Sequence, residues 1–222
     1  MNKRRMGLAI MALGLLAVVA GISLGAYNLW DNRRAGEEAD SVVKAIALHR
    51  ESLALTARPS PPSDVFPDLP SGDDPAASDQ DPDREMPVLE VENKGYIGTL
   101  SIPAIAIELP VQENWSLALL KTAPCRYLGS VYQGDMIICA HNYVTHFGRL
   151  GNLLPGDRVI FTDIEGNEFR YTVAQMDTLA DTAVEEMESG DWDLTLFTCT
   201  LGSQARVTVR CERVEGGDTP VG

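Results

Sequence analysis

Three side chains that could together perform acyl transfer stand out in this sequence: Cys199, Arg206 and His141. Cys199 ends the run Thr-Leu-Phe-Thr-Cys (residues 195–199), and Arg206 opens another β-rich run shortly after it. His141 follows the apolar run Met-Ile-Ile-Cys-Ala (residues 136–140). A thiolate can attack a carbonyl carbon, an imidazole can move protons, and a guanidinium can stabilise negative charge on the carbonyl oxygen. The set therefore predicts acyl transfer through a thioester.

Each of these residues has a simpler explanation when it is taken alone. A cysteine at a strand end is most often a small core residue, and an arginine at a strand start is usually a solvated charge. Here Thr195 and Thr198 flank the cysteine, and Gly202-Ser203 opens a loop after it, which favours an exposed and reactive sulfur. Thr198, beside that sulfur, is also a candidate for contact with a substrate.

Other residues compete for the same roles. We expect His49 to be solvated and His146 to lie exposed in a loop. Arg210 is a rival of Arg206, but it lies deep in the last β-rich run.

The composition limits the classes of partner and cofactor. A net charge of -14 excludes nucleic acid as the expected partner, because phosphate binding needs a basic surface. The four cysteines (125, 139, 199 and 211) form no metal-type pairs, so we expect no cofactor. One disulfide among Cys125, Cys139 and Cys211 stays open as an alternative to buried thiols. Residues 177–193 are acidic and could bind calcium, although a solvated loop fits their spacing better.

The N-terminal segment predicts a membrane anchor, residues 1–34. Residues 7–30 carry no charge and are about long enough to cross a bilayer as a helix. Lys3, Arg4 and Arg5 precede this stretch, which places the N-terminus in the cytoplasm and the remaining chain outside the cell. A cleaved signal peptide, with a cleavage site near Gly21-Ile22-Ser23, is the alternative.

The rest of the chain divides into a linker and one domain. Residues 35–58 suit a juxtamembrane helix, and residues 59–87, rich in Pro, Asp and Ser, predict a disordered stem. Residues 88–216 show the alternation and turn signals of short strands, including a hairpin about residues 165–167. This pattern predicts a mainly β fold, a closed barrel of seven to eight strands with short helices. Residues 217–222 form a short tail.

Five segments in this domain resemble the sortase family of cysteine transpeptidases. Residues 195–199 match the family's TLxTC motif, and residues 205–209 match its arginine at the start of the last strand. Residues 140–142, Ala-His-Asn, resemble the family's histidine motif, with alanine in place of the common glycine. Residues 147–157 and 96–103 resemble the segments after the histidine and at the opening strand. The resemblance extends over most of the β domain.

The resemblance implies a function and a role for each residue. Cys199 would attack a C-terminal sorting signal of the LPxTG kind, His141 would move protons, and Arg206 would stabilise the oxyanion. The partners would be secreted proteins that carry such a signal and a cell-wall amine, such as a peptidoglycan precursor, in a Gram-positive type of cell. The aromatic lid residue of pilin-polymerising sortases is missing at residues 81–83, which argues against that subgroup. Another cell-wall cysteine peptidase and a non-catalytic anchored binding module are the alternatives.

Overall fold

The computed structural model describes residues 3–56, 84–199 and 204–214. Most of the predicted stem and all of the predicted tail lie outside these residues, as does the Gly202-Ser203 loop. Along the described chain the helices and strands are α1 Lys3–Thr56, β1 Leu89–Val91, β2 Lys94–Ile102, β3 Ile107–Gln112, β4 Cys125–Leu128, β5 Met136–Ala140, β6 Arg158–Asp163, β7 Glu168–Ala180, α2 Val184–Glu188, β8 Leu194–Cys199 and β9 Ala205–Arg213. Short 3₁₀ helices cover Pro103–Ile105, Leu119–Lys121 and Phe147–Asn152.

Eight of the strands form a closed β-barrel, as the sequence predicts. The strand order is β1-β2-β3-β4-β5-β8-β9-β7-β6, and β6 returns to pair with β2. Closure requires a glycine at position 98, because an added Cβ there would lie 2.2 Å from the carbonyl oxygen of Thr162. The short strand β1 pairs only with β2 and extends the sheet beyond the closed ring.

The barrel interior is a single apolar core built from alternate residues of the strands. Side chains on successive strand residues point to opposite faces, so every second position enters the barrel. Large fully buried side chains of this core are Ile97, Leu100, Ile102, Met136, Ile138, Phe147, Leu150, Phe161, Phe169 and Tyr171. A second cluster lies on the outer face of β4, β5 and β8, around Ile137 and Phe197. The outer cluster lies on the face of β8 that carries Cys199.

Helix α1 combines the apolar segment and the predicted juxtamembrane helix in one unbroken helix of 54 residues. All side chains described between residues 10 and 30 are exposed. From Ala35 onward the helix packs on the barrel through Ala35, Ala39, Val42 and Ile46, a stripe with the spacing of one helix face. Arg50 fixes the far end, because its guanidinium donates to the carbonyl oxygens of Thr162 and Asp163 at 2.6 and 2.8 Å. The helix is therefore an outer layer of the folded domain.

Most strand predictions agree with the structure, but three short elements were not predicted. The hairpin β6–β7 turns at Glu165-Gly166-Asn167 as expected. Strands β1 and β4 and helix α2 are missing from the prediction. Each is three to five residues long, which is too short to show a hydrophobic period.

Candidate active site

Cys199 is the last residue of β8 and is exposed. It follows Thr195 and Phe197 on the outer face of that strand, because side chains alternate between the two faces. The other three cysteines, Cys125, Cys139 and Cys211, are buried, and all four are free thiols. Cys199 is therefore the one thiol of the four that a macromolecular substrate can reach.

The strand register brings the three predicted catalytic side chains to one edge of the barrel. Strands β5 and β8 are parallel, with Ala140 paired to Thr198, so His141 follows its strand at the same level as Cys199. Strands β8 and β9 are antiparallel, and Cys199 lies directly opposite Arg206. Directly opposed residues of antiparallel strands have Cβ atoms about 4.5–5.5 Å apart. Sulfur, imidazole and guanidinium therefore lie on three adjacent strands.

The His141 ring is partly buried beneath an aromatic neighbour. It stacks on the ring of Tyr143, with centroids 4.0 Å apart and an angle of 15° between the planes. Burial lowers the pKa of His141. The side chain of Asn142 and the carboxylate of Asp31 raise this pKa, and the ammonium of Lys121 lowers it. The net effect disfavours the imidazolium form.

Tyr143 connects this histidine to helix α1. Its hydroxyl donates a hydrogen bond to the carboxylate of Asp31. Burial, together with this bond, raises the pKa of Tyr143 to about 12, so the phenol stays protonated and keeps donating. Neither Tyr143 nor Asp31 was predicted from the sequence as part of the site. The position of Tyr143 two residues after His141 was the signal within the sequence, whereas nothing in the sequence indicated Asp31.

Arg206 has the environment of a group that binds a substrate. Its guanidinium carbon lies 5.8 Å from the centroid of the Phe197 ring, a cation–π arrangement on the outer face. Its Nη1 is buried and has no hydrogen-bond partner among the described residues. A buried donor without a partner is costly unless a ligand completes it. Arg206 can therefore supply a hydrogen bond to a carbonyl oxygen bound at Cys199.

Arg210, the rival arginine, is held in a structural position. Only 4% of this residue is exposed, and its guanidinium donates to the carbonyl oxygens of Met187 and Glu186 at 2.7 and 2.6 Å. It also donates to Thr195 Oγ1 at 3.0 Å. These bonds hold helix α2 against the outer face of the barrel, and Arg210 has no comparable position opposite Cys199.

Thr198, which the sequence suggests as a substrate contact, lies inside the barrel wall and not on the face of Cys199. The residue is 3% exposed, and its hydroxyl donates to the carbonyl oxygen of Ala140 at 2.9 Å. Its side chain points away from the face that carries Cys199. Thr198 thus ties β8 to β5 immediately before the sulfur and the imidazole.

The expectation that His146 is exposed is wrong. The residue is fully buried, and burial lowers its pKa to about 4. Its ring lies 5.5 Å from that of Tyr143, in the same loop that follows β5. His146 is therefore a neutral core residue. His49 lies on α1 and is partly buried.

The acidic segment between β7 and β8 forms the short helix α2 and the turns around it. Among the described residues, no group of three or more His, Cys, Asp or Glu side chains converges as a metal ligand set. The expectations of no cofactor and of a calcium alternative both stay predictions.

Comparisons with known proteins agree with this arrangement. A family model described as the sortase domain matches residues 100–214, more than half of the chain. Sortase A of Bacillus anthracis is 27% identical over 205 residues, which cover 90% of this chain and 89% of that protein. The crystal structure of sortase C1 from Streptococcus agalactiae gives a TM-score of 0.50 at 28% identity and covers 58% of this chain and 72% of that chain. A type III crystal structure of Streptococcus agalactiae sortase C1 also gives 0.50, at 25% identity over 59% and 72% of the two chains.

Proposed function

The chain belongs to the sortase family, and we propose that it cleaves an LPxTG-like C-terminal sorting signal and transfers the protein to a cell-wall amine. Sortases are cysteine transpeptidases of the cell surface. One observation carries the proposal: the register places Cys199 opposite Arg206 and level with His141 at one barrel edge. An exposed thiol with a proton carrier and an oxyanion stabiliser is the minimum that covalent acyl transfer requires.

In the first half of the proposed reaction, the Cys199 thiolate attacks the carbonyl carbon of the Thr–Gly type of bond. The electron pair of the carbonyl moves to oxygen, and Arg206 stabilises the resulting oxyanion. Collapse of this intermediate breaks the C–N bond, while the His141 imidazolium donates a proton to the leaving amine. The products are a thioester on Cys199 and a neutral His141.

In the second half an amine of the cell wall attacks the thioester. His141, now neutral, accepts the proton of that amine, and the thiolate of Cys199 leaves. The new amide bond replaces the one that was cleaved, so the sequence of steps needs no energy source. The lowered pKa of His141 favours the neutral imidazole that this step needs, and it limits the fraction of the enzyme that holds the imidazolium needed in the first half.

An aromatic row beside the thiol supports binding of an extended peptide. Trp115 contacts Tyr127, and Tyr127 contacts Phe197, with 5.5 Å between the ring centroids in both pairs. Trp115 and Tyr127 line an open cleft of about 820 Å³ that does not include the catalytic side chains. We propose that the apolar residues of the signal bind along this row, so that the scissile carbonyl reaches Cys199.

The proposed location is the outer face of the cell membrane. Of the described helices, α1 is the one long and apolar enough to cross a membrane. We propose that residues 7–30 span it once, with the N-terminus in the cytoplasm and the barrel outside. The basic residues Lys3, Arg4 and Arg5 support this orientation.

The direct test is to trap the thioester. The full chain, reconstituted in lipid nanodiscs, is incubated with a panel of sorting-signal peptides and analysed by intact mass spectrometry. We expect an acyl adduct that maps to Cys199 and disappears in Cys199→Ala. Cys139→Ala, which removes a buried thiol from the same face, should keep the adduct. No adduct with any peptide, or an adduct on another cysteine, would contradict the proposal.

No specific observation favours either alternative, another cell-wall cysteine peptidase or a non-catalytic binding module. A papain-like peptidase carries its cysteine on a helix, whereas Cys199 ends strand β8. Selective thiol labelling would not distinguish the enzyme from a non-catalytic binding module, because burial alone protects Cys125, Cys139 and Cys211. The pH dependence of Cys199 labelling does distinguish them. If the Cys199 thiolate is coupled to His141, this pH dependence should change when His141 is replaced by alanine; in a non-catalytic module it should not.

A further inference from the structure

Helix α1 fixes the orientation of the barrel relative to its own apolar segment. Residues 7–30 and the docked segment that begins at Asp31 belong to the same unbroken helix. The docked segment is held at both ends, at Asp31 by Tyr143 and at Arg50 by Thr99, Thr162 and Asp163. A helix rises 1.5 Å per residue, so these two anchor points are about 29 Å apart. The barrel therefore cannot turn about α1 without breaking contacts at both ends.

The part of the docked segment nearest the apolar segment contacts the loop that follows His141. Tyr143 donates to Asp31, and the hydroxyl of Thr145 donates to the backbone oxygen and side-chain oxygen of Asn32 at 3.1 and 3.2 Å. A Cβ at Gly36 would lie 3.1 Å from Thr145, which shows how closely the loop approaches the helix. The loop is thus fixed to the first turn after Trp30.

The side chains around this contact suit the interface between membrane and water. Tyr27 and Trp30, both exposed, end the apolar segment, where aromatic rings prefer the headgroup level. Val144, at the tip of the histidine loop, is 51% exposed. Leu117 is 79% exposed, and its neighbour Ala118 lines a small cavity together with Asp31 and Arg34.

Basic side chains lie at the same level. Arg33 and Arg34 are exposed on the helix turn that follows Trp30. Lys121 is exposed and lines the same cavity as Asp31 and Arg34. Guanidinium groups bind phosphates through charge-assisted hydrogen bonds, and Glu38, which lines the same cavity, offsets part of this positive charge.

From these contacts we propose that residues 142–145, the loop that follows His141, lie against the headgroup region of the membrane that α1 spans. The inference rests on the proposed anchor and goes beyond it. The headgroup region is about 5–7 Å thick on each side of a bilayer, and Asp31 is only one residue beyond the apolar segment. Val144 and Leu117 enter this region, and Cys199 opens within reach of the membrane surface. The proposed partner of residues 142–145 is therefore the lipid surface itself.

Depth-dependent quenching tests the contact without using enzymatic activity. In a Cys199→Ala background, Val144→Cys and Leu117→Cys are labelled with an environment-sensitive fluorophore and reconstituted in phosphatidylcholine–phosphatidylglycerol liposomes. Leu48→Cys is the control, because Leu48 is 67% exposed and lies on α1 about 27 Å beyond Trp30, far from the proposed membrane surface. Lipids that carry a spin label on the headgroup serve as quenchers.

We expect the headgroup quencher to reduce the emission at positions 144 and 117 at least threefold more than at position 48. Equal quenching at all three positions, whether weak or strong, would overturn the proposal, because the histidine loop would then not be the part nearest the bilayer. Both substituted residues are exposed, so their replacement should not prevent folding. The thioester experiment, made on the protein that keeps Cys199, is independent of the quenching experiment. Absence of the thioester together with the expected quenching would refute only the proposed chemistry. A thioester together with equal quenching at the three positions would refute only the membrane contact.

Discussion

Tyr143 lies flat on the imidazole of His141 while its hydroxyl is bonded to Asp31 on helix α1. The ring that stacks on the proposed catalytic histidine is thus itself held by Asp31, which lies 112 residues before Tyr143 in the sequence. The stack limits rotation of the imidazole and shields one of its faces from water. A residue far outside the barrel therefore helps to position the proposed proton carrier.

Two replacements of Tyr143 should distinguish the effect of its stack on His141 from the effect of its hydrogen bond to Asp31. Tyr143→Leu removes the aromatic contact, worth about 0.5–1.5 kcal/mol, and we expect thioester formation to slow up to about tenfold. Tyr143→Phe keeps the ring and loses only the bond to Asp31, so it should retain most of the rate. Stopped-flow measurement of the first turnover provides the comparison. Equal rates in the two variants would show that the stack has no positioning role.

The two arginines should respond differently to the same substitution. Arg206→Ala removes the oxyanion donor, so we expect acylation to fall about 10²–10³-fold with little change in the unfolding temperature. Arg210→Ala leaves the carbonyl oxygens of Glu186 and Met187 without their donor, and should cost about 2–3 kcal/mol of unfolding free energy. Burst kinetics and thermal unfolding measure the two effects. A stable Arg210→Ala protein with the acylation defect of Arg206→Ala would reverse the assignment.

The charges beside His141 predict the direction of its pH response. Lys121 lowers the pKa of His141, so Lys121→Gln should raise it and increase the imidazolium fraction near neutral pH. Asp31 raises that pKa, so Asp31→Asn should lower it. NMR titration of the His141 ring measures both shifts. Lys44→Gln removes an equal charge at an exposed site on α1 and should leave the His141 titration unchanged. A shift in the His141 pKa as large as that caused by Lys121→Gln would contradict a local effect.

His146 should make the fold sensitive to acid. Its pKa is about 4 in the folded protein and about 6.5 in the unfolded chain, so the unfolded state binds more protons between these values. The unfolding free energy therefore rises with pH across this window. Acidification from a pH of about 6.5 to about 4 should lower it by on the order of 3 kcal/mol. His146→Gln, neutral throughout, should flatten that slope in denaturant titrations.

The control for this experiment is His49→Gln, a change at a partly exposed histidine of α1. Its dependence of unfolding free energy on pH should match that of the original protein. If His146→Gln keeps the same slope as well, the acid sensitivity has another origin.

Thr198→Val tests whether this residue positions the site or binds the substrate. The change keeps the shape of the side chain but removes the bond to the Ala140 carbonyl, which should cost about 1 kcal/mol of unfolding free energy and lower kcat with little change in KM. A rise in KM without loss of stability would instead support a substrate contact. Thr178→Val, at an exposed position of β7, should change neither quantity.

Much of the fold follows from local patterns along the chain. Alternating residues and a turn signal predicted β6 and β7, and an uncharged stretch predicted the apolar part of α1. The short strand β4 was missed, because its four residues are held by partners on β3 and β5 rather than by a pattern of their own. The burial of His146 was missed for a similar reason, since the helix that lies over its loop is remote in the sequence.

The sequence by itself determined the barrel and the apolar segment, and it indicated Cys199, His141 and Arg206 as the candidate catalytic residues. Each of these predictions depends on residue type and on spacing within one segment. Only the tertiary structure decided how they are arranged. Strand register placed the three side chains together and turned Thr198 inward to its bond with Ala140. The same register put Arg210 on the outer face, where it holds helix α2. Docking of α1 brought Asp31 to Tyr143 and fixed the end of the barrel that faces the apolar segment. The physical reason is that these are pairings between segments distant in the chain, and such pairings depend on the packing of the whole molecule.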